Sequence, residues 1–402
     1  MGEVLSVVWP RTHVARAYGL PAYRDEGVSR PFAQTNAALE ELVVEVGRLE
    51  PTGGLLDVLL DLYSTRYARG GDYFTPDAVA HLFAGLAAPR TGERVRDPAC
   101  GSGRLLRAAA HWARTRGGEV RLSGTDIRPM ARYAAAVNLA LHGLHADLGE
   151  DGTDTLRAGL PSEKADVIIT NPPVNMRDWG YGELKGDARW DLGVPRPGNA
   201  NFAWAQHILA DLAPQGRGVL LLSSGAAHSS SGSDGLIRQR LLDRGLVVGV
   251  VALPMWPFPH TRTSTALWIL AKGPRPNADQ VLFADAGKLP TWKDGSRRRF
   301  DQEPVERLFR IFGAWQEQRR PEAEDAPDSV PWCRAVGFEE IARADFDLRP
   351  ARYLQQRRPT TSNSGLDGRS RTRDVYKAMD RSAEARRRVR DALKGRHDQR
   401  AE

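Results

Sequence analysis

The chain has 402 residues, 41% hydrophobic and 27% charged, which is ordinary for a soluble globular protein and allows one large domain with appendages. A formal net charge of +7, carried mostly by arginine, is compatible with a polyanionic partner such as DNA or RNA. Two cysteines, Cys100 and Cys333, exclude a disulfide framework and a zinc site and suit a reducing cytosol; no signal peptide is visible, and no apolar run approaches the ~18 residues of a membrane span.

Residues 1 to about 35 are irregular. Residues 36–49 and 55–67, either side of a Pro-Thr-Gly-Gly break, have apolar residues at helical spacing and predict a small helical N-terminal region. Gly70-Gly71-Asp72-Tyr73-Phe74-Thr75-Pro76-Asp77 then leads into a helix to about Leu86, with Thr75 or Asp72 as its cap and Pro76 in its first turn. Arg94–Asp97 predicts a short strand, Pro98-Ala99-Cys100-Gly101-Ser102-Gly103 a turn, and residues 104–115 a helix. A strand, a glycine-rich turn and a helix start let backbone N–H groups approach a polar ligand closely. The next strand, 120–126, ends in Asp126, an acid placed to suit the two hydroxyls of a ribose. A helix at 129–142 and a loop carrying Asp154 follow.

Asp166-Val-Ile-Ile-Thr170 reads as a buried parallel strand that runs into Asn171-Pro172-Pro173-Val174. Two prolines force a stiff, extended exit from the sheet. At a strand's carboxyl end, where ligands of open α/β sheets bind, the Asn171 side chain and the Pro172 carbonyl offer two acceptors that suit an –NH2 group. Residues 175–201, with Trp179, Tyr181 and Trp190, predict a long substrate-facing loop. Beyond it the pattern predicts a helix at 202–213, a strand at 220–222, a helix at 233–244 and strands at 246–253 and 265–271. A looser region has a strand at 281–284, a helix at 304–319, a linker at 321–331 and short capping elements at 335–343 and 345–354. Residues 357–373 read as a polar linker and 374–396 as a highly charged helix. The alternation predicts an α/β, doubly wound, mainly parallel sheet with helices on both faces.

Phe74-Thr75-Pro76, Asp97-Pro98-Ala99-Cys100-Gly101-Ser102-Gly103, Asp126, Asp154-Thr-Leu and Asn171-Pro172-Pro173 stand in that order. Over roughly residues 65–355 this set resembles the N6-adenine DNA methyltransferases, and among them the modification subunit of type I restriction systems. The resemblance implies a Rossmann-like S-adenosylmethionine-dependent methyltransferase fold, with a helical region at 1–69, a catalytic domain at 70–275, a C-terminal extension packed on it at 276–356, and a basic linker and charged helix at 357–402. It implies that Asp72, Tyr73, Phe74, Thr75 and Pro76, with Asp97, Pro98, Ala99, Gly101, Ser102 and Gly103, hold S-adenosylmethionine. Asp126 would bind its ribose and Asp154 its adenine amino group. Asn171, Pro172 and Pro173 would form the catalytic loop, and Phe258 would pack on the target base. No metal is required. The implied partners are double-stranded DNA with its target adenine flipped out, a separate specificity subunit and a restriction subunit, in the cytoplasm and with no membrane.

Two features depart from the family pattern. Val174 stands where an aromatic is common, and only about 65 residues precede the cofactor loop. Trp179 and Trp256 are candidates for the missing aromatic face, although loop packing suits them as well. Two other functions fit the same motifs. One is methylation of RNA, a protein amide or a small molecule on the same fold; the other is a degenerate homologue that binds DNA or a partner without catalysis.

Overall fold

The computed structural model describes residues 75–150, 152–255, 263–275, 277–294, 297–317 and 322–354. The helices expected within 1–69 and 374–396, and the linker at 357–373, lie outside the described residues, as do Asp72, Tyr73, Phe74, Trp256 and Phe258.

Among the described residues the strands are β1 (Arg94–Asp97), β2 (Arg121–Gly124), β3 (Ala146–Asp147), β4 (Ala165–Thr170), β5 (Leu212–Ser223), β6 (Val247–Ala252), β7 (Thr265–Ala271), β8 (Gln280–Asp285), β9 (Thr291–Asp294), β10 (Arg297–Phe300) and β11 (Cys333–Gly337). The helices are α1 (Asp77–Ala87), α2 (Arg104–Arg114), α3 (Pro129–Leu141), α4 (Tyr181–Leu184), α5 (Asn201–Asp211), α6 (Asp234–Asp243), α7 (Gln302–Glu317), α8 (Phe338–Arg343) and α9 (Pro350–Leu354). Nine strands make one sheet in the order β11-β8-β6-β7-β5-β4-β1-β2-β3. From β3 to β5 neighbours are parallel; β7 runs antiparallel to both β5 and β6, β6 and β8 are parallel, and β11 closes the edge antiparallel. The fold is the α/β, Rossmann-like architecture that the alternating pattern predicts. β8 and β11, beyond residue 275, are strands of this same sheet rather than a separate layer.

The central strands are apolar on both faces because both faces are covered. In β4, Val167 and Ile169 join one core with α1, α2, α3 and α7, while Ile168 joins the other with α5, α6 and α9. The same two-residue alternation splits Leu267 and Ile269 from Trp268 and Leu270 in β7. Each such fully buried side chain contributes roughly 1.5–3 kcal/mol relative to exposure. In β6 the alternation slips: Val247 and Val250 share one face, Val248 and Val251 the other, across a register shift at Gly249. A Cβ on Gly249 would lie 2.6 Å from the Leu282 carbonyl oxygen, so the irregularity needs glycine.

Several elements differ from the expected ones, among them β3 and α4, which have no counterpart. The strand expected at 220–222 begins at Leu212: Leu212 pairs with Ala165, the ladder shifts register, and pairing resumes at Arg217 with Val167. Pro214-Gln-Gly216 is therefore a turn-like insertion inside a strand, as its residue types demand. Residues 333–337 are strand β11, so the capping element expected at 335–343 starts within a strand. The hairpin β9–β10 has no counterpart among the expected elements, although Asp294-Gly295 is a hairpin turn signal.

Candidate functional site

Strand order reverses between β4 and β1, and their carboxyl ends, Asp97 and Thr170, open side by side. Crevices at such switch points are where open α/β sheets bind ligands. A cleft of about 450 Å³ lies here, lined by Thr75, the Asp97–Ser102 turn, Asp126, Thr153–Thr155, the Asn171–Met176 loop and Trp204 among others. The described members of the predicted set thus converge, except Pro76 and Gly103, which do not line the cleft but are chain neighbours of lining residues.

The glycine turn is built by backbone geometry. Gly101 and Gly103 have φ of +55° and +73°, which side-chain-bearing residues rarely adopt. A Cβ on Gly103 would also sit 3.1 Å from Ala135 Cβ, so any side chain there would press α3 away from α2 by a few tenths of an ångström. At Gly101 a Cβ would meet open space, so backbone conformation, not crowding by the protein, selects glycine there. The Gly101 N–H donates to Asp126 Oδ2 at 2.9 Å, and Arg128 donates its backbone N–H and Nε to Oδ1 at 3.0 and 3.2 Å. Asp126 therefore braces the turn as well as facing the cleft.

Asp97 is 1% exposed. Its Oδ1 accepts the Ala99 N–H at 3.1 Å, while Oδ2 is buried, and neither it nor the nearby Thr170 hydroxyl is in a well-formed hydrogen bond among the described residues. Burial pushes this carboxyl up to about 7, against the opposing effect of the Thr170 hydroxyl and the Ala99 N–H and with a smaller contribution from the Asp126 charge. An orphaned buried carboxylate oxygen on the cleft wall is a place for a cation or donor from a ligand. Asp154 Oδ1 caps the turn at the Leu156 N–H and Oδ2 pairs with Arg157 at 2.6 Å.

Asn171 Nδ2 donates to Thr75 Oγ1 at 3.1 Å. This bond joins the Asn-Pro-Pro loop to the Thr-Pro loop and orients the amide, leaving Oδ1 as an acceptor to which no group among the described residues donates. The Thr75 side is fixed in turn: its carbonyl accepts from buried Arg104 at 3.0 Å, and Asp77 pairs with Arg104 and Arg107. Val174 is half-buried against the core and lines the cleft.

Sequence reasoning missed the residues that set these loops. Asn175, at φ +57°, accepts through Oδ1 from Asn199, Asn201 and Ser223, each at 3.0 Å. Asn201 Oδ1 accepts the Asn175 N–H in return at 3.1 Å. This lattice ties the loop after the prolines to the start of α5 and the end of β5. The signal available was three asparagines, of which Asn175 is the type that tolerates a left-handed turn. Trp204, on α5, lines the cleft with its indole N–H unpartnered among the described residues. Trp179 takes the loop-packing role rather than that of a base face. It is 1% exposed, packs edge-on to Trp190 and Tyr181, and donates to the Arg196 carbonyl, so it is loop core and offers no face to a base. The 175–201 connection is accordingly a folded loop, braced by Arg189, which bridges Asp187, the His207 Nδ1 and the Leu156 carbonyl.

Comparison with known proteins agrees with this geometry. The profile of the N-6 DNA Methylase family matches residues 52–361. The chain is 32% identical over 313 residues to the HindI type I restriction enzyme methylase subunit of Haemophilus influenzae, covering 75% of this chain and 69% of that protein. It is 29% identical over 301 residues to the MjaIX methylase subunit of Methanocaldococcus jannaschii, covering 71% of this chain but 52% of that one, so it spans about half the length of some relatives. Among solved structures, the type I restriction-modification methyltransferase subunit of Streptococcus thermophilus superposes with a TM-score of 0.64 at 24% identity, over 81% of this chain and 70% of the other, a likeness of fold. With a match across most of its length and the motifs gathered at one switch-point cleft, the chain belongs to the N-6 DNA methylase family.

Proposed function

We propose that the cleft transfers a methyl group from S-adenosylmethionine to the N6 amino group of adenine in double-stranded DNA. The chain acts in the cytoplasm as the modification subunit of a restriction-modification system, alongside separate specificity and restriction subunits. The observation that carries this reading is the Asn171 amide, whose nitrogen is engaged by Thr75 so that Oδ1 is presented as an acceptor on a proline-stiffened loop.

The residues present fit the cofactor. Asp97 Oδ2 suits the ammonium of its methionine moiety, and N–H groups at the start of α2 suit the carboxylate. Asp126 takes the ribose hydroxyls and Asp154 the adenine amino group, and the segment Asp72, Tyr73, Phe74, Thr75 and Pro76 contributes to holding the cofactor. When bound, the cofactor supplies an electrophilic methyl group on a sulfonium.

The adenine amino nitrogen is a poor nucleophile because its lone pair is delocalised into the ring. Asn171 Oδ1 and the Pro172 carbonyl accept its two protons in hydrogen bonds and favour a more tetrahedral nitrogen with an available lone pair. Their contribution is alignment plus stabilisation of developing positive charge. A base inside a duplex cannot reach this loop, so it is flipped out, and Phe258 packs on it.

Incubating the protein and its specificity partner with duplex DNA and methyl-labelled cofactor tests this. Nucleoside mass spectrometry should find N6-methyladenine. Its absence with and without the partner, while cofactor binds normally, refutes the proposal. Val174, which has no flat face for a base, supports a second reading in which the acceptor is an RNA base, protein amide or small molecule; the same analysis of products separates the two.

A further inference from the structure

The hairpin β9–β10 belongs to no part of the site described above. It follows β8, which is parallel to β6; β6 and β5 both run antiparallel to β7, so β8 ends on the same edge of the sheet as β4 and β5. The hairpin therefore springs from the edge on which the cleft opens. Its root lies beside Pro254, just past the end of β6, since a Cβ on Gly287 would sit 3.7 Å from Pro254 Cα. Leu289 and Phe300 are buried in the core at its base, and the Asp301 N–H donates to the Pro290 carbonyl at 2.9 Å to close it.

Above that anchored base the hairpin carries several basic residues and one tryptophan, with Asp294 opposite Arg297 near its turn. Lys288, Lys293 and Arg298 are exposed. Trp292 is 48% exposed, the most exposed tryptophan among the described residues. The register sets Lys293 directly opposite Arg298, and Trp292 opposite Arg299. Two like charges thus face each other across the strand pair, and about half of the Trp292 surface stays in water. Both features become favourable against a polyanion that also offers flat or apolar faces.

We propose that this hairpin grips the phosphate backbone of duplex DNA beside the target base, with Lys293 and Arg298 on phosphates and Trp292 packed on a sugar or an unstacked base edge. The chain would then hold its substrate through its own residues and not only through a specificity subunit. This rests on the reading of the cleft as a DNA methyltransferase site.

The test uses the full chain and a fluorescent duplex, with anisotropy measured across a salt series, alone and with the partner subunit. For K293A/R298A the slope of log K against log salt should fall by roughly 1.8, at about 0.9 for each phosphate no longer neutralised. For W292A affinity should fall several-fold with the slope unchanged, because a stacked ring releases no counterions. Cofactor affinity should be unaltered in both, which shows that the variants are folded. Wild-type slope and affinity in both variants overturn the proposal, as does a wild-type chain that binds no DNA under either condition. Unchanged DNA binding with loss of an acidic protein partner overturns it in favour of a protein interface. N6-methyladenine formation, scored in the same samples, reports separately on the cleft: product from wild type with no hairpin effect sinks only the present inference.

Discussion

Thr75→Val removes one atom's chemistry at the centre of the site. The side chain is 8% exposed, and Val keeps its branched shape while losing the hydroxyl that accepts from Asn171 Nδ2 at 3.1 Å. The amide nitrogen is then left without a partner in a part-buried position, and the two faces of the amide are no longer distinguished. Loss of one such hydrogen bond with an orphaned donor costs about 1–3 kcal/mol. If that cost falls on the reacting geometry, kcat drops roughly 5- to 150-fold, at 1.36 kcal/mol per factor of ten. Thr75→Ser, which restores the acceptor, should recover most of the loss. The assay is single-turnover methyl transfer to duplex DNA, alongside cofactor titration by calorimetry. A Thr75→Val protein with wild-type kcat, or one whose cofactor affinity falls as far as its rate, would show that this bond does not orient the catalytic amide.

Other residues of the site and the core carry expectations of their own. Because the buried Asp97 carboxyl titrates at about 7 and must be charged to face an ammonium, cofactor affinity should rise by up to tenfold per unit from pH 6 to 7, then level until the ligand's own ammonium deprotonates near pH 8; calorimetry in Asp97→Asn should show weak binding without this rise. Gly103→Ala should destabilise by about 1–2 kcal/mol in urea unfolding, since its φ of +73° disfavours any Cβ and Ala135 crowds it, while Gly101→Ala should be milder in stability. His207 is held near 3, below its usual 6.5, first by burial and then by the Arg189 and Arg96 charges. The unfolded chain takes up this proton below pH 6.5 and the folded one does not until about 3, so stability falls as pH drops through that window. Between pH 6.5 and 5 the loss from this residue is about 2 kcal/mol, and urea unfolding of His207→Gln should lack it.

Most of the sheet was legible because burial on both faces writes long apolar runs, as in Val167–Ile169 and residues 265–271. The glycine turn and Asn171-Pro172-Pro173 were legible because their chemistry needs particular residue types in short spans. What escaped was non-local. Arg104, Asn175, Asn201 and Ser223 act through partners tens of residues away, and nothing in their immediate neighbours marks them. Loop packing, the reading that suits a tryptophan in the 175–201 segment better than a base face, holds for Trp179, which Trp190 and Tyr181 enclose. β11 was obscured by its length of 5 residues and by half-buried positions that blur the alternation.

Asn171 Oδ1 must act on the acceptor nitrogen rather than on the cofactor for the cleft to work as described. Asn171→Ala, measured for the rate of methyl transfer to DNA adenine and for cofactor affinity in one preparation, isolates that requirement. The predicted result is a loss of roughly 10²–10³ or more in rate, the scale of removing one polarising group, with cofactor affinity within about twofold of wild type. A variant that methylates at the wild-type rate, or that loses cofactor binding along with turnover, contradicts it.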